Sequence, residues 1–206
     1  MANFFKELVR TEPHSLEEIR ASLDQDLTAH KQLIPLLKEH HNYLEESISF
    51  LLDEDSTDFQ KQEHLERFFR LINMHAKAEE ETLYRHLKEN SSISARLQGL
   101  IGQSEHEIVY QFEKQLNRMS YKTQWTEGIF AKAKVVASLI KNHIKEEEHT
   151  MFTIAASHMT EEELELTRDA YVQKCIGYIV NDRASSVYAG EWTLGKHKDS
   201  DLDSYH

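Results

Sequence analysis

The chain has 206 residues, with 24 Lys and Arg against 36 Asp and Glu, for a formal charge of -12. That excess of acid argues against nucleic acid and against anionic membrane surfaces as partners, because phosphate recognition needs concentrated Lys and Arg. No run approaches the ~18 apolar residues of a spanning helix, and the N-terminal MANFFKELVRTEPHS lacks a signal-peptide core, so the expected location is cytoplasmic.

Six Gly and two Pro in a chain rich in Leu, Glu, Lys, Gln and Ala predict an all-α protein built on one bundle. The single cysteine, Cys175, rules out intramolecular disulfides, Cys-rich zinc sites and CxxC redox chemistry, and reads as a small buried residue. Thirteen His require a separate explanation.

Taken in order, residues 2–10 form a short amphipathic helix, and Ser15-Leu16-Glu17-Glu18 is a capping box that opens a second helix toward His30. Residues 1–30 are therefore read as a helical extension. Pro35 bends or restarts the chain. Ile34, Leu37, His41, Leu44, Ile48 and Leu51 then keep a 3-4 spacing that predicts a helix with one buried stripe, and His41 lies on it.

The turn DEDSTD (53–58) carries good N-cap residues and leads to a second striped helix through Leu65, Phe68, Ile72, His75, Glu79 and Leu83. ENSS (89–92) ends that pattern. A third helix carries Leu97, Leu100, His106, Val109, Phe112 and Leu116; residues 119–126 connect it to a fourth through Ile129, Ala133, Val136, Ile140, His143, Glu147, Met151 and Ile154. Residues 31–158 thus make an up-down-up-down four-helix bundle. Thr160 to Glu163 is a second capping box, starting a terminal helix that should end near Tyr178 within segment 159–180. Residues 181–206 lack helical period and read as a tail.

Two of these helices share a motif. HAKAEEETLY (75–84) and HIKEEEHTMF (143–152) agree at His75/His143, Lys77/Lys145, Glu79/Glu147, Glu80/Glu148 and Thr82/Thr150, an internal repeat of His-x-x-x-Glu. Four residues along an α-helix rise ~6 Å and return to nearly the same face, so each unit can aim an imidazole and a carboxylate at one point. In an up-down bundle, residues on consecutive helices share a layer when the midpoint of their numbers falls in the connecting turn. The midpoints for His41 and His75, Glu79 and His106, and His106 and His143 fall at DEDSTD, beside ENSS and in the 119–126 connection. One layer should therefore hold His41, His75, His106 and His143, with Glu79 and Glu147 one turn away.

Buried without partners, those six side chains would cost several kcal/mol, since each loses water and gains nothing. Two divalent cations sharing the carboxylates, each also bound by two His, remove that cost and retain open coordination positions. Such nitrogen and oxygen donors suit non-haem iron and also admit Mn or Zn. His40 competes with His41 but lies at the margin of the stripe, so His41 is favoured. Glu45 and Tyr110, each four residues beyond a stripe His, should point roughly toward the site and hydrogen-bond there. Glu80, Glu81, Glu146 and Glu148 are expected in solvent or in hydrogen bonds to the ligands. His64 and His86, ~16 Å along the axis from His75, are ordinary histidines, and the tyrosines near the motifs are core filler. Glu146 to His149 gives only one Glu-x-x-His, where a ferritin-like site needs two, and HEIVY at His106 lacks the second His of the zinc-protease motif.

The motifs LLKEHHNYL, HAKAEEETLY, SEHEIVY and HIKEEEHTMF, spread over about residues 30–157, resemble the hemerythrin-like HHE cation-binding family. The resemblance implies a four-helix bundle with a non-haem centre of two iron ions, oxo- or hydroxo-bridged. In it His41, His75, His106 and His143 would be terminal ligands, and Glu79 and Glu147 would bridge. Tyr110 stands where oxygen-carrying members have a second third-helix His. In this the chain more closely resembles the branch that includes iron-sensing domains and di-iron repair proteins, although its only cysteine is Cys175 and the repair proteins carry an N-terminal cysteine segment. The expected function is binding or sensing of O2, NO, peroxide or iron itself, with a small gaseous or oxidant molecule as the partner. The alternatives are a di-iron oxidoreductase of peroxidase or nitric oxide reductase type, an iron-centre repair protein, and a helical interaction protein with a vestigial site. Oligomeric state is left open.

Overall fold

The computed structural model describes residues 32–196, with side chains to Ile179; the expected helices before His30 lie outside the described residues. Helix α1 runs over Leu33–Leu52, with Pro35 in its first turn, where its missing N–H costs nothing. It buries Leu33, Leu36, Leu37, His40, His41, Leu44, Ser47, Ile48 and Leu51, a broader stripe than the sequence spacing indicates. Ile34 is only partly buried.

Helix α2, Asp58–Glu81, opens on a capping box in which Thr57 accepts from the Gln60 N–H and Gln60 Oε1 accepts from the Thr57 N–H at 2.9 Å. It does not continue through Leu83. Thr82 leaves helical geometry (φ -125°, ψ -87°), its hydroxyl donates to the Ala78 carbonyl at 2.6 Å, and helix α3 restarts over Leu83–Glu89. Helices α4, Ile93–Arg118, and α5, Glu127–Glu146, are N-capped by Ser92 and Thr126. The fourth helix of the bundle is likewise interrupted: a π turn spans Glu147–Met151 before helix α6, Phe152–His158. The equivalent threonines of the repeat, Thr82 and Thr150, thus both sit where the chain departs from α geometry.

Helices α1, α2 with α3, α4, and α5 with α6 form the up-down-up-down bundle, and no strand occurs among the described residues. Helix α7, Glu161–Lys196, starts on the expected Thr160–Glu163 pair and packs across α2 and α1. It does not stop near Tyr178: no proline interrupts residues 161–196, and the helix continues into the segment read as a tail. None of the described helices is long and apolar enough to cross a membrane.

The buried face of α4 also departs from expectation. Leu97 and Leu100 are 52% and 53% exposed, and α4 turns Ala95, Gly99, Gly102, His106, Val109 and Leu116 inward instead. Close approach by α3 explains the rotation. A Cβ at Gly99 would lie 2.9 Å from the Tyr84 carbonyl oxygen, and one at Gly102 would lie 2.8 Å from the Tyr84 ring. Apolar counting cannot register a face made of glycines. Because the obstacle at Gly99 is backbone, Gly99→Ala should destabilise the fold by about 1–3 kcal/mol despite alanine's better helix propensity, as measured by urea unfolding. An unchanged or raised midpoint would show that the helices do not meet this closely.

Candidate metal centre

His41 comes from α1, His75 and Glu79 from α2, His106 from α4, His143 from α5, and Glu147 from the first position of the π turn. All six are buried, with Glu79, His75 and His106 wholly inaccessible. Their donor atoms form two groups whose members lie within 4.8 Å of one another: His41, His75, Glu79 and Glu147 in one, Glu79, His106 and His143 in the other. Glu79 belongs to both. Across the centre, Oε2 of Glu79 is 3.2 Å from His75 Nε2 and 3.9 Å from His106 Nε2. Oε2 of Glu147 is 3.2 Å from His41 Nε2 and 3.5 Å from His143 Nε2, and the Nε2 atoms of His106 and His143 are 3.1 Å apart.

The outer nitrogen of every one of these imidazoles is engaged. Nδ1 of His41 meets Glu148 at 2.9 Å, that of His75 meets the Tyr171 hydroxyl at 2.8 Å, that of His106 meets Glu80 at 3.2 Å, and that of His143 meets Glu105 at 2.7 Å. A carboxylate at Nδ1 accepts from an N–H there, which leaves Nε2 as a bare lone pair aimed inward, the tautomer a metal ligand requires. The inward atoms show the other half of the pattern. Nε2 of His41 and His75, both oxygens of Glu79, and Oε2 of Glu147 are buried and have no hydrogen-bond partner. Native interiors leave few such atoms unpaired and scatter them, so five converging on one point fit a cation.

Electrostatics without a metal are correspondingly strained. Burial, with the negative charges of Glu147 and Glu80, raises the Glu79 carboxyl well above its ordinary range. Glu147 is pulled the other way, to about 2, because His143, His41 and the Tyr84 hydroxyl outweigh the effect of burial. Burial opposes a charge on His41 too, but the negative charge of Glu147 beside Nε2 and the hydrogen bond its Nδ1 donates to Glu148 overcome it and lift the ring to about 8. His75 and His106 are pushed down, chiefly by burial, His75 also by the surrounding imidazoles.

The neighbours divide between those foreseen and those not. His40 is buried beside His41, yet its Nδ1 binds the Tyr171 hydroxyl at 2.6 Å and it enters neither donor group. Glu80 and Glu148 hold ligand-forming imidazoles, and the Tyr110 hydroxyl donates to Glu80 at 3.1 Å, away from the donor atoms. Glu45 is exposed and does not point toward the centre. His64 stacks on Phe50 with ring centroids 3.8 Å apart, an ordinary core contact. Cys175 is buried. Sequence reasoning missed Glu105, for which periodicity offers no signal, and Tyr171, which comes from a helix whose facing the sequence does not determine. Tyr84, expected as filler, is more than that: its hydroxyl donates to Glu147 Oε1 at 2.6 Å. One clue was available, since Tyr84 aligns with Phe152 in the repeat and differs from it by that hydroxyl.

A bundle that buries two acid-and-imidazole groups around one shared carboxylate defines a metal-binding protein. The family model for the hemerythrin HHE cation-binding domain matches residues 32–155, and the chain belongs to that family. Comparison with curated proteins and with solved structures gives no match.

These shifts set the pH dependence of the metal-free chain. His41, raised from 6.5 to about 8, contributes about 2 kcal/mol that is present below pH 6.5 and lost as pH rises through 8. The raised Glu79 adds a loss that begins above its ordinary 4.5 and continues into the alkaline range, whereas the two lowered imidazoles, His75 and His106, remove stability as pH falls below 6.5 and the lowered Glu147 removes more below 4.5. Urea unfolding of chelator-treated protein should therefore peak near pH 6.5, and His41→Leu should flatten the alkaline limb. A wild-type profile level from pH 6.5 to 8.5 would contradict the assignment.

Proposed function

We propose that the chain binds two iron ions at these two donor groups and uses them to bind or sense a small gaseous or oxidant molecule, O2, NO or peroxide. The observation that carries the reading is Glu79, whose two buried oxygens lack hydrogen-bond partners and stand between one group of four donors and another of three. Glu79 and Glu147 would bridge, the latter with Oε2 near both His41 and His143; His41 and His75 would complete one position, and His106 and His143 the other. Neither set saturates a six-coordinate ion, so room remains for an external ligand. Iron bound by nitrogen and oxygen donors supplies reversible binding of, or electron transfer with, such molecules.

The chain's own part is to hold three imidazoles in one tautomer through carboxylates and the fourth, His75, in place through Tyr171, keep bulk water out, and limit the ligand count. Binding and sensing are favoured over turnover because the carboxylates and phenols that could move protons are already committed. Glu80, Glu105 and Glu148 hold imidazoles, Tyr110 is bonded to Glu80, and Tyr171 lies between His40 and His75.

Elemental analysis of the purified chain, with absorption spectra recorded under nitrogen and in air, tests the proposal. Two irons per chain and a near-ultraviolet oxo-bridge band after exposure to air are expected, with loss of at least one iron in Glu79→Ala. Zinc or manganese at the same stoichiometry, without a gas-dependent spectrum, would replace iron and end the sensing reading; wild-type chain free of metal would end both.

A further inference from the structure

We propose that helix α4 pairs with α4 of a second copy of the chain, antiparallel about a two-fold axis between Leu100 and Ile101, through an exposed apolar stripe on the side opposite His106. The inference is independent of what the metal centre holds.

Of the eight large apolar side chains exposed among the described residues, five lie on α4: Ile93, Leu97, Leu100, Ile101 and Ile108, which are 42% to 74% accessible. The cause is local. Tyr84 and its helix crowd the inner face of α4 so closely that glycine is needed at Gly99 and Gly102, and the large apolar side chains are turned outward. Together with Ser104, also exposed, they follow steps of 4, 3, 1, 3 and 4 residues. They therefore stand along one side of the helix over ~22 Å, and none of the six is charged. Single exposed apolar residues are ordinary, whereas a contiguous row of them marks an interface.

The spacing of this row reads alike from either end. Laid antiparallel on a copy of itself, it sets Ile93 against Ile108, Leu97 against Ser104 and Leu100 against Ile101, each contact made twice, as an isologous interface requires. The charges at its edge agree. Arg96 and Glu107 flank the stripe on the same side, about three turns apart, and the same register brings Arg96 of one copy within reach of Glu107 of the other. Nη1 of Arg96 donates to the carbonyls of Asn90 and Ser91 at 2.9 and 2.7 Å, which fixes the guanidinium at that edge. A parallel pairing would instead set Glu107 beside Glu105 of the other copy. Two chains of charge -12 repel each other, and an uncharged stripe is where they can approach at least cost. Residues 1–31 or an unlike protein, as the occupant, would give no reason for a row symmetric about its own midpoint or for charges that answer one another across it.

The test uses the full chain in sedimentation equilibrium up to submillimolar concentration and in mild disulfide cross-linking, for which the buried Cys175 gives no background. A dimer is expected, weakened at least about a hundredfold by Leu100→Glu, which by symmetry puts two carboxylates into the contact. Glu107→Arg should weaken it as well, since like charges would then meet at both ends. Leu100→Cys should cross-link to its own copy. Ile108→Cys alone should not, because its two copies would lie ~22 Å apart along the pair, yet it should cross-link when mixed with Ile93→Cys. All these positions are exposed, so the variants are expected to keep the wild-type helicity and metal content. A monomeric wild type would overturn the proposal and leave residues 1–31 or an unlike protein as the occupant. A dimer that Leu100→Glu leaves intact would overturn it too, as would Ile108→Cys cross-linking to itself.

Discussion

The constraint on which the structure depends is the burial of Glu79, a carboxylate with no solvent contact and no hydrogen-bond partner on either oxygen, facing three or more imidazole nitrogens. An isolated carboxylate in such a place is among the most expensive groups a protein can bury, and ordinary packing offers no compensation. In the metal-free chain the cost shows as a carboxyl forced toward its neutral form beside Glu147, which is forced to stay charged. A cation reverses the balance. It favours both charges together with neutral imidazoles, so the same arrangement that strains the empty fold stabilises the loaded one.

Much of the bundle can be read as the means of presenting those atoms. Each of the four imidazoles is gripped from behind, three by carboxylates and His75 by the Tyr171 phenol, which belongs to the helix beyond the family domain. The two repeats also depart from regular helix at equivalent points, one by a break at Thr82 and the other by a π turn from Glu147. The π turn begins where two consecutive carboxylates, Glu147 and Glu148, reach the two nitrogens of one ring, His41. Wide turns of this kind are common at functional sites because they redirect side chains that a regular helix would send elsewhere.

The convergence of His41, His75, Glu79, His106, His143 and Glu147 was legible because it depends on two regularities that survive in sequence, the four-residue step within a helix and the symmetry of residues about a short turn. The stripe did not itself separate His41 from His40, since both are buried and only His41 enters a donor group, whereas the bundle followed from composition and spacing. Other features had no such imprint. Gly99 and Gly102 form a packing face with no side chains, so apolar spacing turns Leu97 and Leu100 inward where the structure exposes both. Glu45 fell at the right step but on the wet side of α1. Tyr171 and Glu105 act across helices whose relative rotation only packing determines. The length of α7 was misjudged because a helix can persist without an amphipathic stripe when nothing in the sequence breaks it.

The central claim is that cations hold these donors in the interior, and the most direct measurement is chemical unfolding of one preparation before and after removal of its metal by a chelator. The account predicts a large drop in the unfolding midpoint on removal, restored by adding back the metal, and a much smaller metal effect in Glu79→Gln. Equal stability with and without metal in the wild-type chain would contradict it, since the donors would then be buried for some other reason.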